Sequence, residues 1–128
     1  MTSSRENGFG LAPWLSVYDA EAAVTFYVAA FGAEVPYRLD DDGGLQVAQL
    51  TVGAADFWVQ HEPAATPDGV EQSPVRMIVT VDDPEATFAR ALAAGGREVA
   101  PVTEQHGWRI GRFADPFGHH WEIGRRLE

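Results

Sequence analysis

Apolar side chains at Ala23, Phe26, Tyr27, Ala30 and Phe31 recur three and four residues apart, which places them on one face of a helix. Asp19 precedes them as an N-cap and Gly32 ends them, so the spacing predicts a helix over Ala20–Phe31. On either side the period shortens to two, the signature of half-buried strands. Leu11–Val17 reads as a strand with Pro13, Leu15 and Val17 on one face and Ala12, Trp14 and Ser16 on the other; Pro13 marks an edge or a strand end. Glu34–Leu39 and Leu45–Val52 read as strands joined by an acidic, glycine-containing turn at Asp40–Gly44. A turn at Gly53 leads to Asp56–His61, where Phe57, Val59 and His61 should face the helix while Asp56, Trp58 and Gln60 face away.

After a proline-rich loop at Glu62–Pro74 the pattern restarts. Val75–Val81 is a predicted strand, and Asp83 caps a helix with Pro84 at its first position, Phe88, Ala91 and Leu92 on one face and Gly95-Gly96 at its end. Strands follow at Glu98–Thr103, Trp108–Ala114 and Gly118–Gly124, with a turn at Glu104–Gly107. One fixed offset aligns Val17 with Val81, Asp19 with Asp83, Gly32 with Gly96, Glu34 with Glu98 and Val35 with Val99. So many coincidences indicate two β-α-β-β-β modules, about residues 9–62 and 74–126, within one α+β domain.

The most informative stretch is Asp115-Pro116-Phe117-Gly118-His119-His120-Trp121-Glu122. Pro116 and Gly118 make a tight turn; beyond it His120 and Glu122 share one strand face while Trp121 and Ile123 share the other. Together with the paired modules, Phe26-Tyr27 and Phe31-Gly32, this stretch resembles the vicinal oxygen chelate superfamily of glyoxalases, bleomycin-resistance proteins and extradiol dioxygenases. The resemblance implies two cupped mixed sheets around a cavity and a homodimer. It also implies a divalent metal held by the first and last strands of each module. The positions it marks for ligands are Ala12, Trp58, Arg76 and Glu122, of which only Glu122 can bind a metal. Three protein ligands are the usual minimum, so no metal or other cofactor is expected. A displaced site would have to draw on Gln60, His61, His119 and His120.

Composition narrows the picture further. There is no cysteine, which excludes disulfides, zinc–thiolate sites and thiol nucleophiles. Nine basic residues against 19 acidic ones leave a net charge of −10, which argues against nucleic acid and permits cationic ligands. No apolar run is long enough to span a bilayer, and Met1–Gly8 is too polar for a signal peptide, so a cytoplasmic protein without a membrane partner is expected.

Among the four tryptophans, strand parity turns Trp14 and Trp58 towards the cavity with Ser16 and Gln60, lets Trp108 roof it, and sets Trp121 against a helix. Trp58 and Trp108 could sandwich a flat or glycosylated ligand. Arg76 and Glu122 would meet in the cavity, either as an ion pair in the metal's place or as a clamp, with Arg76 on an anionic group or Glu122 on a cationic one. His120 and Glu122 are the candidates for acid–base work; His119 should sit near solvent, Asp115 should brace its own turn, and Asp40-Asp41-Asp42 should form a solvated turn. The expected function is binding of a hydrophobic or cationic small molecule in a tryptophan-lined cleft. The enzymatic alternatives are a metal-dependent lyase, isomerase or dioxygenase with a rearranged site, and a metal-free enzyme using Glu122 or His120.

Overall fold

Helix 1 begins where its cap predicts and ends where its glycine does. The computed structural model describes residues 10–65 and 75–128; the polar start and most of the expected linker, residues 66–74, lie outside the described residues. The elements are β1 (Trp14–Val17), α1 (Ala20–Phe31), β2 (Glu34–Asp41), β3 (Gly44–Val52), β4 (Ala55–His61), β5 (Arg76–Thr80), α2 (Pro84–Ala93), β6 (Arg97–Gln105), β7 (Trp108–Ala114) and β8 (His120–Arg126). They build two four-stranded sheets, β1-β4-β3-β2 and β5-β8-β7-β6. In each sheet the first strand runs parallel to the last and the remaining pairs are antiparallel, so both are mixed and the second repeats the first strand for strand. The α+β class and the two cupped sheets are therefore as expected.

The repeat extends to the N-caps. Asp19 Oδ1 accepts from Ala22 N at 3.1 Å, and Asp83 Oδ1 accepts from Ala86 N at 3.2 Å, each satisfying an otherwise orphaned donor of the first turn. Gly32 stops α1 at φ 67°, a left-handed conformation that suits glycine, with its N–H donating to Val28 O at 2.9 Å.

Several boundaries differ from the pattern-based expectation. β1 starts at Trp14 rather than Leu11, because Pro13 has no N–H to give the ladder; its carbonyl instead accepts from Trp58 N at 2.9 Å. Ala12 thus precedes the strand. β2 runs through Asp40 and Asp41 and leaves only residues 42 and 43 in the turn, since Arg38 holds Asp40 and Asp41 Oδ1 accepts from Gly43 N at 2.7 Å. β6 runs from Arg97 to Gln105, and β8 starts at His120 because Gly118, at φ 93°, still belongs to the turn.

One core serves both sheets. Phe26, Tyr27 and Phe31 of α1 reach across to Phe113 and Trp121 of the second sheet, while Phe57 of the first sheet meets Trp121 edge-on at 5.6 Å between ring centroids. Each such ring contributes roughly 1.5–3 kcal/mol through burial. Gly111 lets α2 close on β7, since a Cβ there would lie 2.7 Å from Val102 and 3.1 Å from Phe88. The consequence for function is directional. With their inner faces joined by a common core, the opposite faces, carrying Trp58 on β4 and Glu122 on β8, point away from that core.

Candidate functional site

The turn ahead of β8 is built around one buried carboxylate. Asp115 Oδ1 accepts from the backbone N–H groups of Phe117 (2.9 Å) and His119 (3.0 Å). Its Oδ2 accepts from Tyr27 Oη (2.5 Å) and Trp121 Nε1 (2.8 Å). Asp115 thus braces its own turn, as expected, and also ties α1 to β8, which strand pattern alone could not disclose. His119 is drawn in too: its Nε2 lies 2.9 Å from Ser16 O, so the ring links the turn to β1 and is half-buried, where solvent exposure was expected.

Burial pushes the Tyr27 hydroxyl well above the ordinary phenol range, and the negative charge and hydrogen bond of Asp115 push it further. A group whose folded value is raised contributes stability that is complete below its unfolded pKa, about 10 for tyrosine, and that is lost as pH climbs towards the folded value. Thermal unfolding followed from pH 8 upward should therefore show a melting temperature that falls once pH passes about 10. Tyr27→Phe should start lower and fall less steeply; identical slopes would remove Tyr27 as the alkaline trigger.

On the outer face of the second sheet, β8 is flanked by β5, where Arg76 lies opposite His120 and Ile78 opposite Glu122. On its other side is β7, where Ala114 lies opposite His120 and Arg112 opposite Glu122. Arg76 Nε and Glu122 Oε1 are 3.4 Å apart, with 42% and 14% of the side chains exposed, so the expected ion pair forms. His120 is only 1% exposed, and a molecule arriving at this face meets Arg76 and Glu122 before the imidazole. Trp108 lies on the same face at the opposite end, its ring 3.7 Å from where a Cβ on Gly124 would be.

The first sheet presents an aromatic shelf on its outer face. Trp14 and Trp58 sit side by side on β1 and β4, stacked with ring centroids 6.1 Å apart and planes 22° from parallel. Trp14 Nε1 donates to Gln60 Oε1 at 2.9 Å. Tyr37 approaches Trp58 edge-on at 5.9 Å. Trp14 and Tyr37 remain 53% and 44% exposed despite these contacts. Within one chain Trp58 and Trp108 lie on the outer faces of different sheets, so a sandwich between them calls for a second chain. Sequence reasoning passed over Tyr37, whose neighbour is set by the pairing Tyr37–Gln49–Trp58 across three strands and by a register shift after Glu34. It also passed over Arg112, although its parity with Trp108 and against Phe113 was available.

The residues at the metal positions do not fit a divalent ion. Ala12 has no donor atom, Trp58 offers only an N–H, Arg76 is a permanent cation, and Glu122 is already paired with it. The nearby alternatives are committed elsewhere: His61 Nδ1 accepts from Ala20 N at 3.1 Å on the helix side, as its parity predicted, and Gln60 holds Trp14. Among the described residues no three His, Cys, Asp or Glu side chains come together in a metal-holding group.

A family model described as a glyoxalase-like domain matches residues 14–124. The chain belongs to the glyoxalase-like family. An uncharacterised protein of Mycobacterium tuberculosis is 38% identical to this glyoxalase-like protein over 124 residues, covering 90% of this chain and 73% of the relative. Among solved structures, TioX from Micromonospora sp. ML1 is 28% identical with a TM-score of 0.71, covering 94% of this chain and 98% of TioX. The fosfomycin resistance protein FosX from Mesorhizobium loti, at 17% identity, shares the fold with a TM-score of 0.69, covering 91% of each chain. The fold and the family thus agree with the vicinal oxygen chelate resemblance read from the repeat and the Asp115 turn.

Proposed function

We propose that this glyoxalase-like protein is a cytoplasmic binding protein that holds a flat, largely apolar small molecule, without a metal, in clefts shared by two copies of the chain. The observation that carries this is the solvent-facing shelf of Trp14, Trp58 and Tyr37. Large rings beside a few polar groups are the usual lining of a small-molecule site, and rings left half exposed still have a face to offer. Gln60, held by Trp14, and Gln49, paired between Tyr37 and Trp58, supply the polar groups.

A second copy is supported by the placement of the two outer faces. The shelf of one chain needs a wall opposite it, and that wall is the Arg76–Glu122 face of another chain. β1 and β5 are edge strands, and Ile78 on β5 is 61% exposed, which leaves backbone and apolar surface for such a pairing.

The test is a titration with N-phenyl-1-naphthylamine, a neutral flat fluorophore, alongside sedimentation of the free protein. A saturable fluorescence rise and a dimer mass are the expected results; no rise with a strictly monomeric protein would overturn the proposal. In parallel, Zn²⁺, Ni²⁺, Mn²⁺ and Fe²⁺ added singly should leave the melting temperature unchanged, because an ion with no site on the native state cannot stabilise it by mass action. A saturable upward shift with any of them would restore the metal-dependent alternative.

A further inference from the structure

We infer that the outer face of the second sheet carries an anion subsite, formed by Arg112 and Arg76 around Glu122, and that the bound small molecule presents a carboxylate, phosphate or phosphonate to it. This deepens the binding function proposed above and rests on it. Arg112 lies directly opposite Glu122 in the β7–β8 ladder. Strand alternation sends its side chain to the Glu122 face, since its neighbours Gly111 and Phe113 are buried against the core. Arg76 flanks Glu122 from β5 and touches it through Nε alone. Two guanidinium groups therefore flank one carboxylate, of which only Arg76 pairs with it, on a protein whose net charge is −10.

What distinguishes Arg112 from the paired arginines is a buried guanidinium N–H with no acceptor. Arg38 is held by Glu21 and Asp40, and Arg109 by Glu85 and Glu104. Among the described residues the Arg112 side chain makes no hydrogen bond or ion pair, and its Nε is buried without an acceptor. Leaving such a donor unsatisfied is costly, and more so for a charged group. An anion in front of the guanidinium answers its charge and can take two of its N–H groups in parallel hydrogen bonds.

The overall acidity does not oppose this. At physiological ionic strength charges separated by more than about 8 Å are largely screened, so the immediate pair of arginines outweighs distant carboxylates. Acidic groups such as Asp40, Asp41 and Asp42 lie on the β2–β3 hairpin of the other sheet. A cationic ligand, by contrast, would have to approach Glu122 between two guanidinium groups. Local charge thus reverses the preference that net charge suggested.

The experiment compares three probes of one shape on the purified full chain: phenylphosphonate, benzyl alcohol and benzylammonium, titrated by calorimetry. Phenylphosphonate should bind at least about tenfold more tightly than the other two, the scale of one charge-assisted contact. Arg112→Ala should abolish that advantage, and Arg112→Lys should restore part of it. Glu122→Gln, which removes the competing carboxylate, should tighten phenylphosphonate binding, and this variant keeps the test decisive if Arg112→Ala does not fold. Equal affinity for all three probes would overturn the anion subsite and leave the binding function standing. Preference for benzylammonium would overturn it in favour of a cationic ligand. Binding of none would overturn both.

Discussion

Replacing Asp115 with alanine is expected to cost the folded chain about 3–5 kcal/mol, a large share of the 5–15 kcal/mol that holds a typical domain together. The reason is the number of donors that one carboxylate satisfies. Its removal leaves the Tyr27 hydroxyl, the Trp121 indole N–H and the backbone N–H groups of Phe117 and His119 without their acceptor. Two of these sit in the aromatic core, where water does not replace what is lost. Asp115→Asn should fall between wild type and alanine: it keeps one oxygen but sets an NH₂ group against donors. Urea unfolding followed by tryptophan fluorescence provides the measurement. A loss below about 1 kcal/mol for the alanine variant would mean that the turn is held by something other than this carboxylate. The effect should reach function as well, because the turn sets where β8 begins and so where Glu122 lies.

Trp58→Ala should weaken binding of N-phenyl-1-naphthylamine by roughly 10- to 100-fold while leaving the fold intact, the scale expected when an aromatic anchor is removed from the centre of a contact surface. Trp58 is the middle ring of the shelf: Trp14 stacks on one side and Tyr37 approaches its edge. Its loss therefore removes a platform and frees two neighbours at once. Because the ring lies on the outer face, away from the Phe57 and Val59 side of β4, the cost to stability should stay small. Trp58→Phe should recover most of the affinity. Unchanged binding in Trp58→Ala would move the ligand away from the first sheet altogether, whereas a collapse of the fold, visible in the unfolding curve, would show that the shelf is structural.

Much of this architecture was legible from spacing. The period of the apolar residues marked α1 to the residue, and the offset relating Asp19 to Asp83 announced two equivalent modules whose N-caps prove equivalent in their hydrogen bonds. Parity sent His61 to the helix and paired Trp14 with Trp58 on one face, and it placed Arg76 within reach of Glu122. Strand ends were less legible, because they depend on which backbone groups find partners: Pro13 shortens β1, and the Arg38–Asp40 ion pair lets β2 continue into a stretch that composition marks as turn.

By itself the sequence determined the periodicity of each segment, the duplication, and which residue types stand where the superfamily resemblance expects metal ligands. These are local properties, written into side-chain chemistry and alternation. The tertiary structure alone decided what lies across from what. It set Arg112 beside Glu122 and Tyr37 beside Trp58, buried His120, and turned Asp115 from a local brace into the tie between α1 and β8. Those are contacts between different elements, fixed by ladder register, by turn geometry and by a shared core, which alternation within a single strand does not specify by itself.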